Sequence, residues 1–156
     1  MECCPTATLR FSLERKGMRI TLESDYALRI LTAMAESDGV TDAKTISANT
    51  SVTLRFTLKI LHKLVGGGLV QSFKGVNGGY TLKLAPENIT LKAVIELIDG
   101  PIAIARCLET EEGCSLNCDK TACVYHHIFD TISIDLAKKL DKITIHDVIN
   151  RTYSLV

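Results

Sequence analysis

The stretch from Thr53 to Leu84, TLRFTLKILHKLVGGGLVQSFKGVNGGYTLKL, decides the fold. Its first half has the rhythm of an amphipathic helix. Leu54, Leu58, Leu61 and Leu64 form an apolar stripe, and Arg55, Lys59 and His62 fall together on another side at i, i+4 and i+7. Thr53 stands at the expected N-cap, and the run Gly66 to Gly68 stops the helix after Val65. The second half changes period. Leu69 to Phe73 and Tyr80 to Leu84 read as two strands, and Lys74-Gly75-Val76-Asn77-Gly78-Gly79 between them as a glycine-rich turn, which makes a β-hairpin.

Upstream, Ser24 to Glu36 places Tyr26, Ala27, Ile30, Leu31 and Met34 on one helical face, and Ser37-Asp38-Gly39 ends it. Thr41 can cap a short helix over Asp42 to Asn49, with Thr50-Ser51 as the turn that follows. The order helix, helix, turn, helix, hairpin is that of a winged helix-turn-helix. The third helix, basic on its exposed face and preceded by a tight turn, suits the major groove of duplex DNA. Thr53, Arg55, Lys59, His62 and Lys63 are its candidate DNA contacts, joined by Lys74 and Asn77 near the wing tip. The competing reading is the solvated face of an ordinary surface helix; the wing argues for DNA.

The chain has 156 residues, a formal net charge of zero and 46% hydrophobic residues. No apolar run approaches a membrane span and no secretory signal opens the chain, so a soluble, cytoplasmic protein is expected. The neutral total hides an asymmetry. Residues 41–84 carry six Lys or Arg against one acid, Asp42, whereas residues 85–156 carry seven against eleven acids. A basic half suits a polyanion and an acidic half does not. Residues 1–17 have no apolar periodicity, and Met18 is the expected natural start, with the preceding leader disordered or non-native. The chain then divides into a winged helix-turn-helix over 18–85 and a sensor loop with dimerisation helices over 86–156.

In that second part, Thr90 to Asp99 is amphipathic, Gly100-Pro101 stops it, and Val124 to Leu140 runs without a breaker. Val124, Ile128, Phe129, Ile132, Leu136 and Leu140 form a stripe too long for one small domain to cover. The expected cover is the same helix of a second copy, in a homodimer that reads a palindromic operator. Thr144-x-x-Asp147 has the form of a capping box. The fold class is therefore mainly α with a small β-hairpin, a winged helix-turn-helix plus a long dimerisation helix.

Before the long helix, Cys107, Cys114, Cys118 and Cys123 precede His126 and His127 within 21 positions of a chain with only six Cys and four His. In a reducing compartment such crowding indicates metal binding or redox sensing rather than a disulfide framework. Thiolates with imidazole suit zinc or an iron-sulfur cluster. Intervals of six, three and four intervening residues fit no common zinc-finger pattern. No orienting residue or glycine turn accompanies a Cys/His pair as a nucleophile would need, so an enzyme is not expected.

Met18-Arg19-Ile20-Thr21, Ser24-Asp25-Tyr26-Ala27-Leu28-Arg29, Leu58-Lys59-Ile60-Leu61-x-Lys63-Leu64, Gly68-Leu69-Val70, Lys74-Gly75-Val76-x-Gly78-Gly79-Tyr80, Gly100-Pro101 and the cysteine segment together resemble the Rrf-two family of bacterial regulators, the IscR, NsrR and RirA type. The resemblance covers residues 18–150. It implies a dimeric winged helix-turn-helix regulator whose operator affinity is controlled by an iron-sulfur cluster, [2Fe-2S] in preference to [4Fe-4S], sensing iron-sulfur status, redox state or nitric oxide. It also implies the ligands: Cys107, Cys114 and Cys123, with His126 as the fourth in the IscR pattern or Asp25 of the partner subunit in the NsrR pattern. Cys118 departs from the pattern and competes with Cys114 for one role. A cluster-free thiol regulator and a zinc-stabilised interaction module are the alternatives.

Overall fold

The structure, a computed structural model, describes residues 20–37, 39–75, 78–109 and 122–153. Helix α1 (Leu22–Ala35) starts at Thr21, whose Oγ1 accepts the Ser24 amide at 3.2 Å. Its inward face is Ser24, Ala27, Ile30, Leu31 and Met34. Tyr26 is half-buried at the edge, packed edge-to-face on Phe56 at 6.1 Å. The start of α1 is also tied across the molecule. Asp99 accepts the Thr21 amide at 3.2 Å and its hydroxyl at 2.5 Å.

Helix α2 (Ala43–Thr50) is capped by Asp42 rather than by Thr41. The Asp42 carboxylate accepts both the Lys44 amide, at 2.9 Å, and the Thr45 amide, at 3.2 Å, and a full negative charge suits a helix N-terminus better than a hydroxyl. These bonds hold its carboxyl below the usual range, the Thr45 hydroxyl contributing most. Thr41, left in extended backbone, instead pairs with Tyr80 through two hydrogen bonds of 2.9 Å. Ser51, in the left-handed region at φ 56°, makes the turn into α3 (Leu54–Gly66). Thr53 occupies the N-cap of α3 but makes no side-chain capping bond.

The wing is a two-stranded antiparallel sheet, β1 (Val70–Phe73) and β2 (Gly79–Leu82), with Val70 opposite Leu82 and Phe73 opposite Gly79. Gly79 is required by packing. A Cβ there would lie 2.6 Å from the Thr41 carbonyl oxygen, because the Thr41–Tyr80 pairing brings that backbone against the strand.

A 3₁₀ turn (Pro86–Asn88) leads to α4 (Leu91–Asp99), whose cap Thr90 accepts the Ala93 amide at 3.1 Å. Then come α5 (Arg106–Glu109), α6 (Val124–Asp141) and α7 (Ile145–Asn150). The expected capping box is present: Asp147 Oδ2 accepts the Thr144 amide at 2.9 Å, and Thr144 Oγ1 accepts the Asp147 amide at 3.1 Å. Residues 143–145 run beside 89–91. Leu91 N–H donates to Ile143, and Ile145 N–H to Ile89, both at 2.9 Å.

That pairing seats α7 in the main core. Ile89, Val94 and Ile145 are fully buried together with Ile30, Leu31, Ile46, Ile60, Leu61 and Leu64. Each such side chain contributes about 1.5–3 kcal/mol of transfer free energy, so α4 and α7 are part of what holds the winged helix-turn-helix together. Helix α6 packs on α4 through a narrow face. Ser133, its one buried residue, accepts the Ile104 amide at 3.1 Å and donates to Phe129 at 2.8 Å. No helix among the described residues is long and apolar enough to cross a membrane.

One stripe differs from the expectation. On α3 the core face is Thr57, Ile60, Leu61 and Leu64, at i, i+3, i+4 and i+7; Leu54 and Leu58 are 36% and 44% exposed. They lie beyond the edge of the stripe that meets α1 and α4, on the same side as the basic residues.

Candidate DNA-binding face and cysteine site

Leu54, Arg55, Leu58, Lys59, His62 and Lys63 line one open surface on the outer side of α3. The structure therefore brings four of the expected DNA contacts together, with Thr53 exposed at the helix start and Lys74 exposed just after β1. Asn77 lies outside the described residues. Leu54 and Leu58 add apolar contact area of the kind that meets thymine methyl groups in a major groove.

The electrostatics of this face are uneven. Arg55 and Lys74 make no ion pair among the described residues. Lys59 and Lys63 are both paired with Glu23, in the first turn of α1: Lys59 Nζ donates to Oε1, and Lys63 Nζ donates to Oε2 at 2.6 Å. The two lysine hydrogen bonds hold the Glu23 carboxyl down at about 2. Glu23 is the residue that sequence reasoning missed. Nothing local announces it, because its partners are 36 and 40 positions away.

The cysteine site is described in part. Cys107 lies on α5 and Cys123 at the N-cap of α6; both are half-buried free thiols, and α5 packs against α6. His126, in the first turn of α6, is half-buried, and its Nδ1 is buried with no hydrogen-bond partner. Its ring stands edge-to-face to that of His127, 6.0 Å between centroids. Cys114 and Cys118 lie outside the described residues, and among the described residues no three His, Cys, Asp or Glu side chains form a metal-holding group. Asp25, the other fourth-ligand candidate, is ion-paired within its own helix to Arg29 at 2.7 Å.

A helix-turn-helix with a paired wing, a basic outer α3 and a thiol segment leading into a long helix is one arrangement, and it has relatives. The profile of the family Rrf2, described as an iron-dependent transcriptional regulator, matches residues 20–151. The chain belongs to the Rrf2 family. Among Rrf2 relatives, the regulator IscR of Aliivibrio salmonicida is 28% identical over 133 residues, 84% of this chain and 77% of its own. CymR of Bacillus subtilis is 32% identical over 97 residues, 61% of this chain and 70% of its own. The solved structure of B. subtilis CymR, the global cysteine regulator, aligns with a TM-score of 0.70 at 24% identity, covering 88% of this chain and 100% of the other. That of T. potens IscR aligns at 0.69 and 20% identity, covering 88% and 90%. This Rrf2 protein is a DNA-binding transcriptional regulator and not an enzyme.

Proposed function

We propose that this regulator acts as a homodimer on a palindromic operator, with α3 and the wing on the DNA, and that an iron-sulfur cluster held by the cysteine segment controls its affinity. The observation that carries the sensor is the His126 ring nitrogen. A buried polar atom without a partner costs about 1–3 kcal/mol, and it stands one helical turn from the free thiol of Cys123, on the helix against which α5, the bearer of Cys107, is packed. Ligation would satisfy it. Cys107, Cys123 and His126 would hold the group together with Cys114, or Cys118 in its place, and the bound cluster would supply chemistry responsive to iron supply, oxidants or nitric oxide. A [2Fe-2S] centre suits one imidazole among thiolates, because neutral imidazole is the more readily lost ligand and lability serves a sensor.

The chain's own part is transmission. Helix α6 starts at Cys123, packs on α4, and carries the surface assigned to the dimer, so a change at the thiols alters the base of the element that spaces two α3 helices. Half-sites lie about 34–36 Å apart, so a small pivot there weakens both contacts together. Protein purified without air should show visible absorbance and bound iron. Removing the iron with a chelator should change operator affinity by about 5–150-fold, the usual range of coupling between two sites. A colourless, iron-free protein with equimolar zinc, or identical DNA affinity with and without iron, would contradict the reading.

The DNA face has its own test. Arg55→Ala with Lys74→Ala removes two cations that make no ion pair among the described residues, and should weaken DNA binding while flattening the slope of log affinity against log salt by about 0.9 per lost phosphate contact. A folded double variant with unchanged affinity and slope would remove α3 and the wing from the interface.

A further inference from the structure

We propose that Glu23 is an intramolecular stand-in for phosphate: it occupies Lys59 and Lys63 of α3 and so limits how strongly the protein holds DNA of any sequence. The proposal rests on the reading of α3 as the DNA-contacting helix. Lys59 and Lys63 are one turn apart, so their ammonium groups converge on one side of α3, and each takes one oxygen of the Glu23 carboxylate. A phosphodiester group presents the same two-oxygen anion to the same pair.

The carboxylate is offered from a fixed place. Glu23 lies in the first turn of α1, whose cap Thr21 is anchored to Asp99 through two hydrogen bonds. The neighbouring acid on α1, Asp25, is engaged with Arg29 and does not compete for the lysines. With its carboxyl at about 2, Glu23 stays ionised throughout the physiological range. The α3 face thus carries two kinds of cation: Arg55, without an ion pair among the described residues, and a lysine pair whose charge one shared carboxylate cuts by half.

For Lys59 and Lys63 to meet phosphate they must leave Glu23, which strands a carboxylate beside a polyanion. If they stay, the carboxylate cancels one of their two charges, and fewer counterions leave the DNA. Both routes reduce the electrostatic part of binding, which is the same for all sequences, and leave contacts from Arg55, Leu54 and Leu58 to base edges untouched. Weakening the term common to all sequences lowers specific and non-specific affinity alike and leaves discrimination to the base-edge contacts.

The probe is a short duplex of random sequence, titrated with the full-length protein at several salt concentrations. Glu23→Gln keeps the length of the side chain and removes its charge. It should bind the duplex about tenfold more tightly, with a salt slope steeper by about 1–2, one or two added phosphate contacts. Lys59→Gln with Lys63→Gln, added to Glu23→Gln, should cancel that gain. Unchanged binding in Glu23→Gln, while Arg55→Ala with Lys74→Ala weakens binding, would overturn the proposal; so would a gain in Glu23→Gln that survives when Lys59→Gln and Lys63→Gln are added. If neither Glu23→Gln nor the Arg55/Lys74 variant alters binding, the assignment of α3 to DNA fails instead.

Discussion

Cys107→Ala and Cys123→Ala protein, each purified without air, should contain no iron-sulfur cluster. The two thiols bracket the segment from two helical ends, one on α5 and one at the N-cap of α6, so the proposed ligand set includes both whichever of Cys114 and Cys118 completes it. A missing thiolate removes a bond that water cannot replace in strength or charge, and the remaining ligands are too few to hold the cluster. Cys118→Ala should matter less than Cys114→Ala. The two histidines separate by their surroundings: His126 is half-buried with an unpartnered ring nitrogen, whereas His127 is exposed. His126→Ala should therefore destabilise the cluster more than His127→Ala. Iron content and visible absorbance report all these variants. Full occupancy in the Cys107 variant, or equal losses in the two histidine variants, would reject the ligand set.

Ile128→Glu with Ile132→Glu should convert the protein to monomers. These residues are 47% and 48% exposed, and with Val124, Tyr125 and Leu136, also exposed, they line one side of an 18-residue helix about 27 Å long. A contiguous apolar face of this length on an isolated chain marks an interaction surface. In an isologous dimer every substitution occurs twice, and an uncompensated buried charge costs about 3–5 kcal/mol, so dissociation should rise by on the order of 10³-fold or more. Sedimentation measures this directly. Because Ser133 and the contacts of α6 with α4 are untouched, the monomer should keep its helical circular dichroism. A variant that stays dimeric would move the subunit interface elsewhere.

How far these features could be read from the chain depended on the distance over which each is determined. The hairpin and the end of α3 follow from the glycine runs, and the start of α7 from the box Thr144-x-x-Asp147, all set by neighbours within a few positions; β2 starts at Gly79 rather than at Tyr80. Thr41 is the cap the sequence suggests and Asp42 the one that forms; the difference is made by Tyr80, whose strand takes Thr41 as a backbone partner. The apolar stripe on α3 was misjudged for a related reason. Leu54, Leu58 and Leu61 fit helical spacing as well as Thr57, Ile60 and Leu61 do, and an exterior that carries leucines looks like a core. Glu23 was invisible because an ion pair between helices leaves no pattern within either. The same holds for Asp99, an ordinary acid at the end of α4 until Thr21 is found against it.

The burial of Ile145 with Ile30 and Leu31 also fixes an order of events during synthesis. Helix α7 emerges from the ribosome after the cysteine segment and α6, so the hydrophobic centre that supports α1 and α3 remains unfinished until α7 has been made. Domains commonly fold in turn from the N-terminus as synthesis proceeds. Here the N-terminal reading head waits for the C-terminal helix, and a nascent chain interrupted within the thiol segment lacks a finished surface with which to occupy a promoter.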